Sequence, residues 1–279
     1  VVADVDLAKL FDRVDHDILI DRLKSRIGDA ALLRLIRAYL NVGIMDGGVV
    51  IERHQGTPQG GPLSPLLANV LLDEVDKALE ARGYSFARYA DDCNVYVGSK
   101  KAGERVMAWL RKLYGELKLE INEAKSAVCS ALGRKFLGYA LWEAKGREVK
   151  CKVAEKALGN FKARIRQLTR RSGGCSMAQV VDRLRPYLLG WRAYFGLAQT
   201  PSVWRELDEW LRHRLRAIQL KHWKRPSTIY RELKACGAAE SVARRVAVNS
   251  RRWWRNSNRL LKTVLTIAYF DRLGVPRLS

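Results

Sequence analysis

Hydrophobic positions along the chain follow two regimes: short alternating runs set between helical stripes as far as about residue 153, and helical stripes alone after it. Residues 1–6 read as a strand entering a turn, after which Asp15 or Asp17 caps a helix carrying Ile18, Leu19, Leu23 and Ile27 on one face. A second helix runs through Leu32, Leu33, Leu35, Ile36, Tyr39 and Leu40, and Asp46-Gly47-Gly48 marks a hairpin turn between short strands. The stretch 55–65 is too rich in Gly and Pro for regular structure and ends in a helix start, with Ser64 as N-cap and Pro65 at the first helical position. That helix carries Leu67, Val70, Leu71, Val75, Ala78 and Leu79 on one side and stops at Gly83. Residues 86–97 then read as a hairpin with Asp91 and Asp92 at or beside its turn, and Ser99 opens a helix with Val106, Trp109, Leu110, Leu113 and Leu117 on its apolar face. Strands follow at 119–121, 127–129, 135–141 and 148–153, then helices at 154–171, 176–197 with a kink at Pro186, 202–223, 227–236, 239–255 and 257–273. The pattern predicts an α+β chain: an antiparallel sheet backed by helices over 1–153, followed by an all-α domain over 154–279.

Charge sharpens this division. The net charge of +22 is unevenly spread: residues 1–150 hold 23 Lys and Arg against 21 Asp and Glu, whereas 151–279 hold 28 against 8. A solvated face normally mixes both signs, so this excess points to a polyanionic partner. The five cysteines (Cys93, Cys129, Cys151, Cys175, Cys236) form no Cys-x-x-Cys pair, and the four histidines make no metal spacing with them. That usage fits a reducing compartment such as the cytoplasm, and no structural zinc. No run of eighteen apolar residues occurs, so no membrane partner is expected. The first residues already read as strand and no Met precedes them, as in a fragment cut inside an element.

Two adjacent aspartates are by themselves ordinary turn formers. Here the strand after them is half buried, and carboxylates held together at its mouth repel one another unless a divalent cation sits between them. Nucleotidyl transfer through two metal ions requires a second acidic strand alongside. Asp6 is the candidate, although a helix-entry cap is its plainer reading; Asp4 has the same strand parity but lies deeper. In the 55–65 loop, glycines allow close backbone approach to a base or sugar, and Gln59 offers both a donor and an acceptor.

Together these segments resemble the reverse transcriptases encoded by bacterial group II introns. Residues 6–16 are similar to the family's motif A, 56–69 to motif B, Tyr89-Ala90-Asp91-Asp92 to motif C, 119–126 to motif D and 136–139 to motif E. The resemblance implies a reverse-transcriptase palm whose catalytic Asp6, Asp91 and Asp92 surround two Mg²⁺ ions, with the Leu7 carbonyl as a further ligand. It also implies that Phe11 stands under the sugar, that Gln59 and Gly60 face the incoming deoxynucleoside triphosphate, and that Lys125 lies near the triphosphate.

The helical remainder resembles the family's thumb and maturase domain, most recognisably at 185–196. There Tyr187, Trp191, Tyr194 and Phe195 fall at core spacings, which leaves RNA contact to basic residues on outer faces: Arg164, Arg166, Arg170, Arg171, Arg212, Arg216, Lys221, Lys224 and Arg225. Partners implied are intron RNA and a DNA primer or target. The sequence starts at motif A, without the family's finger segments, and no Cys- and His-bearing nuclease module follows the helices. Two alternatives remain open: a catalytically idle splicing maturase, or the polymerase of another bacterial retroelement.

Overall fold

A computed structural model describes the chain except for residues 43, 47–48, 52–54 and 59–60. By packing, the chain divides into two compact units, 1–131 and 132–279. The secondary structure turns wholly helical only after 153, whereas the packing divides at 132, because the last three strands join the helices that follow them.

The first unit is built on a sheet of β1 (Val2–Val5), β4 (Ser85–Tyr89), β5 (Asp92–Tyr96) and β6 (Ala127–Cys129). Its order is β4-β5-β1-β6 and every pairing is antiparallel. Between β1 and β4 run the short helix α1 (Leu10–Arg13), α2 (His16–Lys24) and α3 (Ala30–Asn41), the hairpin of β2 (Ile44–Asp46) and β3 (Val49–Ile51), and α4 (Ser64–Ala81). Helix α5 (Lys100–Glu116) connects β5 to β6. Asp15 caps α2, its carboxylate accepting the amides of Asp17 and Ile18; Asp29 caps α3 in the same way, and Ser99 caps α5. The stripes seen in the sequence are the buried faces: Leu67, Leu71, Val75 and Leu79 of α4 and Val106 and Leu110 of α5 share one core with Ala3, Val5, Cys93 and Val95 of the sheet.

Two local expectations are corrected. Ser64 is the first residue of α4 rather than its cap; its hydroxyl donates to the Pro58 carbonyl at 2.5 Å, tying the preceding loop to the helix. Residues 119–121 form no strand: a single bridge, Leu7 to Ile121, takes its place. The turn expected at Asp46-Gly47-Gly48 falls partly outside the described residues, but the two strands around it pair as a hairpin, Asp46 opposite Val49.

The second unit opens with the antiparallel sheet β7 (Lys135–Phe136), β8 (Tyr139–Glu143) and β9 (Val149–Val153). Leu137 and Gly138 turn the first hairpin, both at positive φ, and thereby split the single strand expected over 135–141. The helices α6 (Glu155–Leu168), α7 (Met177–Tyr194), α8 (Pro201–Trp223), α9 (Pro226–Ala235), α10 (Glu240–Val248), α11 (Trp253–Asn258) and α12 (Ile267–Arg272) follow. Helix α7 continues through Pro186, opened by a capping box between Ser176 and Gln179. The helices expected over 239–255 and 257–273 are each shorter: a 3₁₀ turn at Ser250–Arg252 interrupts the first, and the second is helical only at its first two residues, which end α11, and again from Ile267. Trp191 is the hub of the core, with ring centroids 4.3 Å from Phe161, 4.8 Å from Phe195 and 5.3 Å from Trp204. Among the described residues no helix is long and apolar enough to cross a membrane.

Candidate active site and basic surface

The register of the central strands brings the acidic residues together. Strand β1 pairs with β5 from Val2 opposite Tyr96 to Val5 opposite Cys93, so the next position along each strand is Asp6 against Asp92. Strand β4 pairs with β5 as far as Tyr89 opposite Asp92, which leaves Ala90 and Asp91 as a two-residue turn. Ala90 has φ 52, and Lys9, which opens α1 three residues after Asp6, has φ 52 as well. Left-handed geometry without glycine costs about 1–2 kcal/mol at each position, a strain that concentrates at functional sites.

The electrostatics match this geometry. Burial, then the like charges of Asp91, Asp6 and Asp4, push the Asp92 carboxyl above the ordinary aspartate range, against a smaller opposing pull from Lys125. The Lys125 ammonium stands 3.3 and 3.4 Å from the two Asp6 carboxylate oxygens. Asp6 is further held by its backbone: its amide donates to Ser126 Oγ at 3.0 Å and its carbonyl accepts from the Asn122 amide at 2.8 Å. Because the Leu7–Ile121 bridge uses the Asp6 carbonyl and the Ala8 amide, it does not engage the Leu7 carbonyl. These hard oxygen donors, crowded enough to raise the Asp92 carboxyl, are the set that Mg²⁺-class cations prefer. Among the described residues, no three Asp, Glu, His or Cys side chains already surround one point as ligands. Behind the site, burial pushes the Cys93 thiol up to about 12, which leaves it an inert packing group.

Sequence reasoning missed the clamp on the acidic turn. Arg88, in β4, donates through Nε and Nη2 to both oxygens of Asp76 at 2.7 and 2.5 Å, and through Nη1 to Asn69 at 2.9 Å and to the Ala90 carbonyl at 3.2 Å. It therefore ties the strained turn residue to α4. Asn69 and Asp76 stand seven apart on α4, but Asp73, Glu74, Lys77 and Glu80 on the same helix hide them as a signal.

The loop before α4 is fastened to the segment after Asp6. Thr57 donates its amide to the Phe11 carbonyl and Gly56 donates to Val14, each at 2.7 Å, while the buried His16 bonds the Gly56 carbonyl through Nε2 at 2.7 Å. Gly56 has φ 85, and a Cβ there would lie 2.9 Å from two carbonyl oxygens, so no other residue fits. Phe11 is half-buried against the core. Gln59 and Gly60 lie outside the described residues.

The basic residues proposed for RNA divide into two sets. Arg164, Arg166, Arg170, Lys221, Lys224 and Arg225 are exposed, and Arg171 is half-buried with its guanidinium 4.3 Å over the Trp253 ring. A pocket of about 790 Å³ gathers Arg170, Arg171, Lys221 and Lys224. Arg212 and Arg216, by contrast, are corrected: both are buried. Arg212 pairs with Asp208 and donates to the Pro276 carbonyl at 3.1 Å, and Arg216 donates to the Leu265 carbonyl at 2.8 Å, so both hold α8 to the C-terminal segment rather than facing a ligand. Of the aromatic residues expected in the core, Phe195 is buried and Tyr187 and Trp191 are half-buried, but Tyr194 is exposed and donates its hydroxyl to Leu137 at 3.0 Å.

Comparison with known proteins agrees with these assignments at the level of family. Residues 1–141 match the model of the reverse transcriptase (RNA-dependent DNA polymerase) family, and residues 158–237 that of the group II intron maturase-specific domain. Protein YkfC of Escherichia coli K12 is 29% identical over 207 residues, covering 60% of this chain and 54% of its own length. The group II intron-encoded protein LtrA of Lactococcus lactis is 30% identical over 172 residues, 56% of this chain and 29% of LtrA. The chain thus spans about half or less of the curated relatives it matches. A solved telomerase from Candida albicans, in complex with a fragment of telomeric RNA, overlies 99% of this chain and 51% of its own at 14% identity and a TM-score of 0.47, too loose a likeness to add to the family match.

Proposed function

This chain belongs to the reverse transcriptase family, and from that premise we propose that it is the palm and maturase part of a group II intron protein of the bacterial cytoplasm, copying intron RNA into DNA and binding that RNA to assist splicing. The observation that carries the reading is the register that sets Asp6 beside Asp92, with the Asp92 carboxyl raised by burial and then by the charges of Asp91 and Asp6. Reverse transcriptases as a family use divalent metal ions. In this chain Asp6, Asp91 and Asp92, with the Leu7 carbonyl, would hold two Mg²⁺ ions, which when bound would supply activation of the primer 3′-hydroxyl and charge stabilisation of the pyrophosphate leaving group.

The chain's own residues do the positioning. Arg88 fixes the turn that carries Asp91 and Asp92, and the staple from Gly56 and Thr57 to α1 holds the loop bearing Gln59 and Gly60 against the segment bearing Phe11. Phe11 would exclude a 2′-hydroxyl, Gln59 and Gly60 would face the incoming nucleotide, and Lys125 would pass from Asp6 to the triphosphate. The exposed set Arg164, Arg166, Arg170, Lys221, Lys224 and Arg225, with Arg171, would grip RNA phosphates, contacts that give affinity and salt dependence but little sequence choice.

Primer extension on an RNA template, beside RNA binding by the same protein, tests the reading. Asp91→Ala and Asp92→Ala should each lower extension by about 10³-fold or more, roughly 4 kcal/mol of barrier, and leave RNA affinity within about threefold. Undiminished extension would sink the catalytic assignment; joint loss of both activities would sink the division of labour.

A further inference from the structure

A second basic site lies beyond both matched segments. After α10 the chain turns through the 3₁₀ segment into α11, and Arg245, Arg252, Arg255 and Arg259 line a pocket of about 340 Å³ together with Asn249 and Asn256. Residues 245–259 fall outside 1–141 and 158–237, so neither family domain assigns them a role. No acidic side chain lines the pocket. Among the described residues, none of the four guanidinium groups makes an ion pair. The neighbouring Arg244 is paired with Glu240, which shows that an arginine in this region takes a carboxylate partner where one is in reach.

The floor of the pocket is fixed. Asn256 is buried and donates Nδ2 to the Asn249 carbonyl at 2.9 Å, and Asn249 in turn donates Nδ2 to the Arg245 carbonyl at 3.0 Å. The second bond closes the end of α10 and the first joins that end to α11, so the arginines emerge from a braced frame rather than from a free loop. Four like charges around so small a volume repel one another, and the fold carries that repulsion without a counter-charge. A nucleic-acid backbone presents one negative charge per phosphodiester, spread along a strand. Four arginines lining a single concavity match instead a compact group of higher charge, whose several oxygens can accept bidentate pairs of bonds from guanidinium forks. The volume is within the range of small-ligand pockets.

We propose that this pocket binds a densely charged phosphate: a terminal phosphomonoester on a nucleic-acid strand, or free pyrophosphate. The two sources share the chemistry, and they are separable. Calorimetric titration of the full chain with inorganic pyrophosphate, and with one oligoribonucleotide carrying either a 5′-phosphate or a 5′-hydroxyl, distinguishes them. Saturable pyrophosphate binding at one site is expected, weakened at least tenfold by the double substitution Arg252→Gln/Arg255→Gln. The charge-matched double substitution Arg105→Gln/Lys112→Gln should leave it within twofold; these exposed side chains of α5 have no part in the active site or the RNA-binding set, and neither lines the pocket. A 5′-phosphate that improves oligonucleotide binding at least fivefold, with pyrophosphate competing, assigns the strand end as the source; equal binding of the two oligonucleotides beside saturable pyrophosphate assigns the free anion. Absence of saturable pyrophosphate binding, or equal losses in the two double variants, would overturn the proposal. Because none of these titrations requires DNA synthesis, the result is independent of the fate of Asp91 and Asp92.

Discussion

Arg88 is the single side chain on which the acidic turn most depends. Its guanidinium satisfies a carboxylate, an amide and the carbonyl of a residue in left-handed geometry, and its removal would leave Asp76 half-buried without its cation. Arg88→Met should therefore lower primer extension at least tenfold while Arg88→Lys recovers part of it, and should destabilise the fold by about 2–3 kcal/mol through the orphaned carboxylate; denaturant melts beside kinetics check both. Asp92 behaves in the opposite sense. A carboxyl whose pKa is raised by folding contributes stability only at low pH and loses it as pH rises through the folded value, so at neutral pH Asp92 disfavours the metal-free fold. Asp92→Asn should raise the melting temperature of the metal-free protein slightly, by less than about 1 kcal/mol in an exposed, screened site. Added Mg²⁺ should stabilise the unsubstituted protein more than this variant.

At the scale of elements, the stripes of α2, α4 and α5 were legible because burial on one face imposes a period that the chain cannot hide, and so were the caps of α2 and α5. The acidic hairpin was legible for the same reason: β5 is buried through Cys93, Asn94 and Val95, and that fixed which residues could stand at its mouth. Contacts made across sequence left no periodic trace. Nothing local to Arg88 or His16 announces that their partners lie on α4 and at Gly56, and the burial of Arg212 and Arg216 depends on a C-terminal segment that a helix pattern does not position. The shortened last helices are a related case: the first breaks at the polar run 249–252, whereas Leu261 and Leu265 of the second are fully buried although the segment from Arg259 to Thr266 is not helical. In the helical unit, the energetic centre is the Trp191 cluster. Phe161→Ala, which empties a fully buried position against that ring, should cost about 3–5 kcal/mol, measured as a shift of the denaturation midpoint.

Taken whole, the molecule separates charge more completely than its secondary structure does. Divided at the packing boundary, residues 1–131 hold 18 Lys and Arg against 19 Asp and Glu, whereas 132–279 hold 33 against 10. The unit with the acidic site is nearly neutral, and the unit of strands and helices carries the whole excess. RNA affinity of the full chain should accordingly fall steeply between 50 and 200 mM salt, with a log–log slope of about −4 or steeper for some five phosphate contacts. A flat response in filter binding would remove the basic unit as the RNA platform.

The bridge between Asp15 and Gln55 joins the two ends of everything that lies between them, α2, α3 and the β2–β3 hairpin. Lineages can therefore lengthen or trim that excursion beyond α3 at the modest price of ring closure, about 0.6 kcal/mol for each doubling, while the neck keeps Phe11 and the loop at Gly56 in register. Natural variation in chain length should accumulate there, as branches do above a graft.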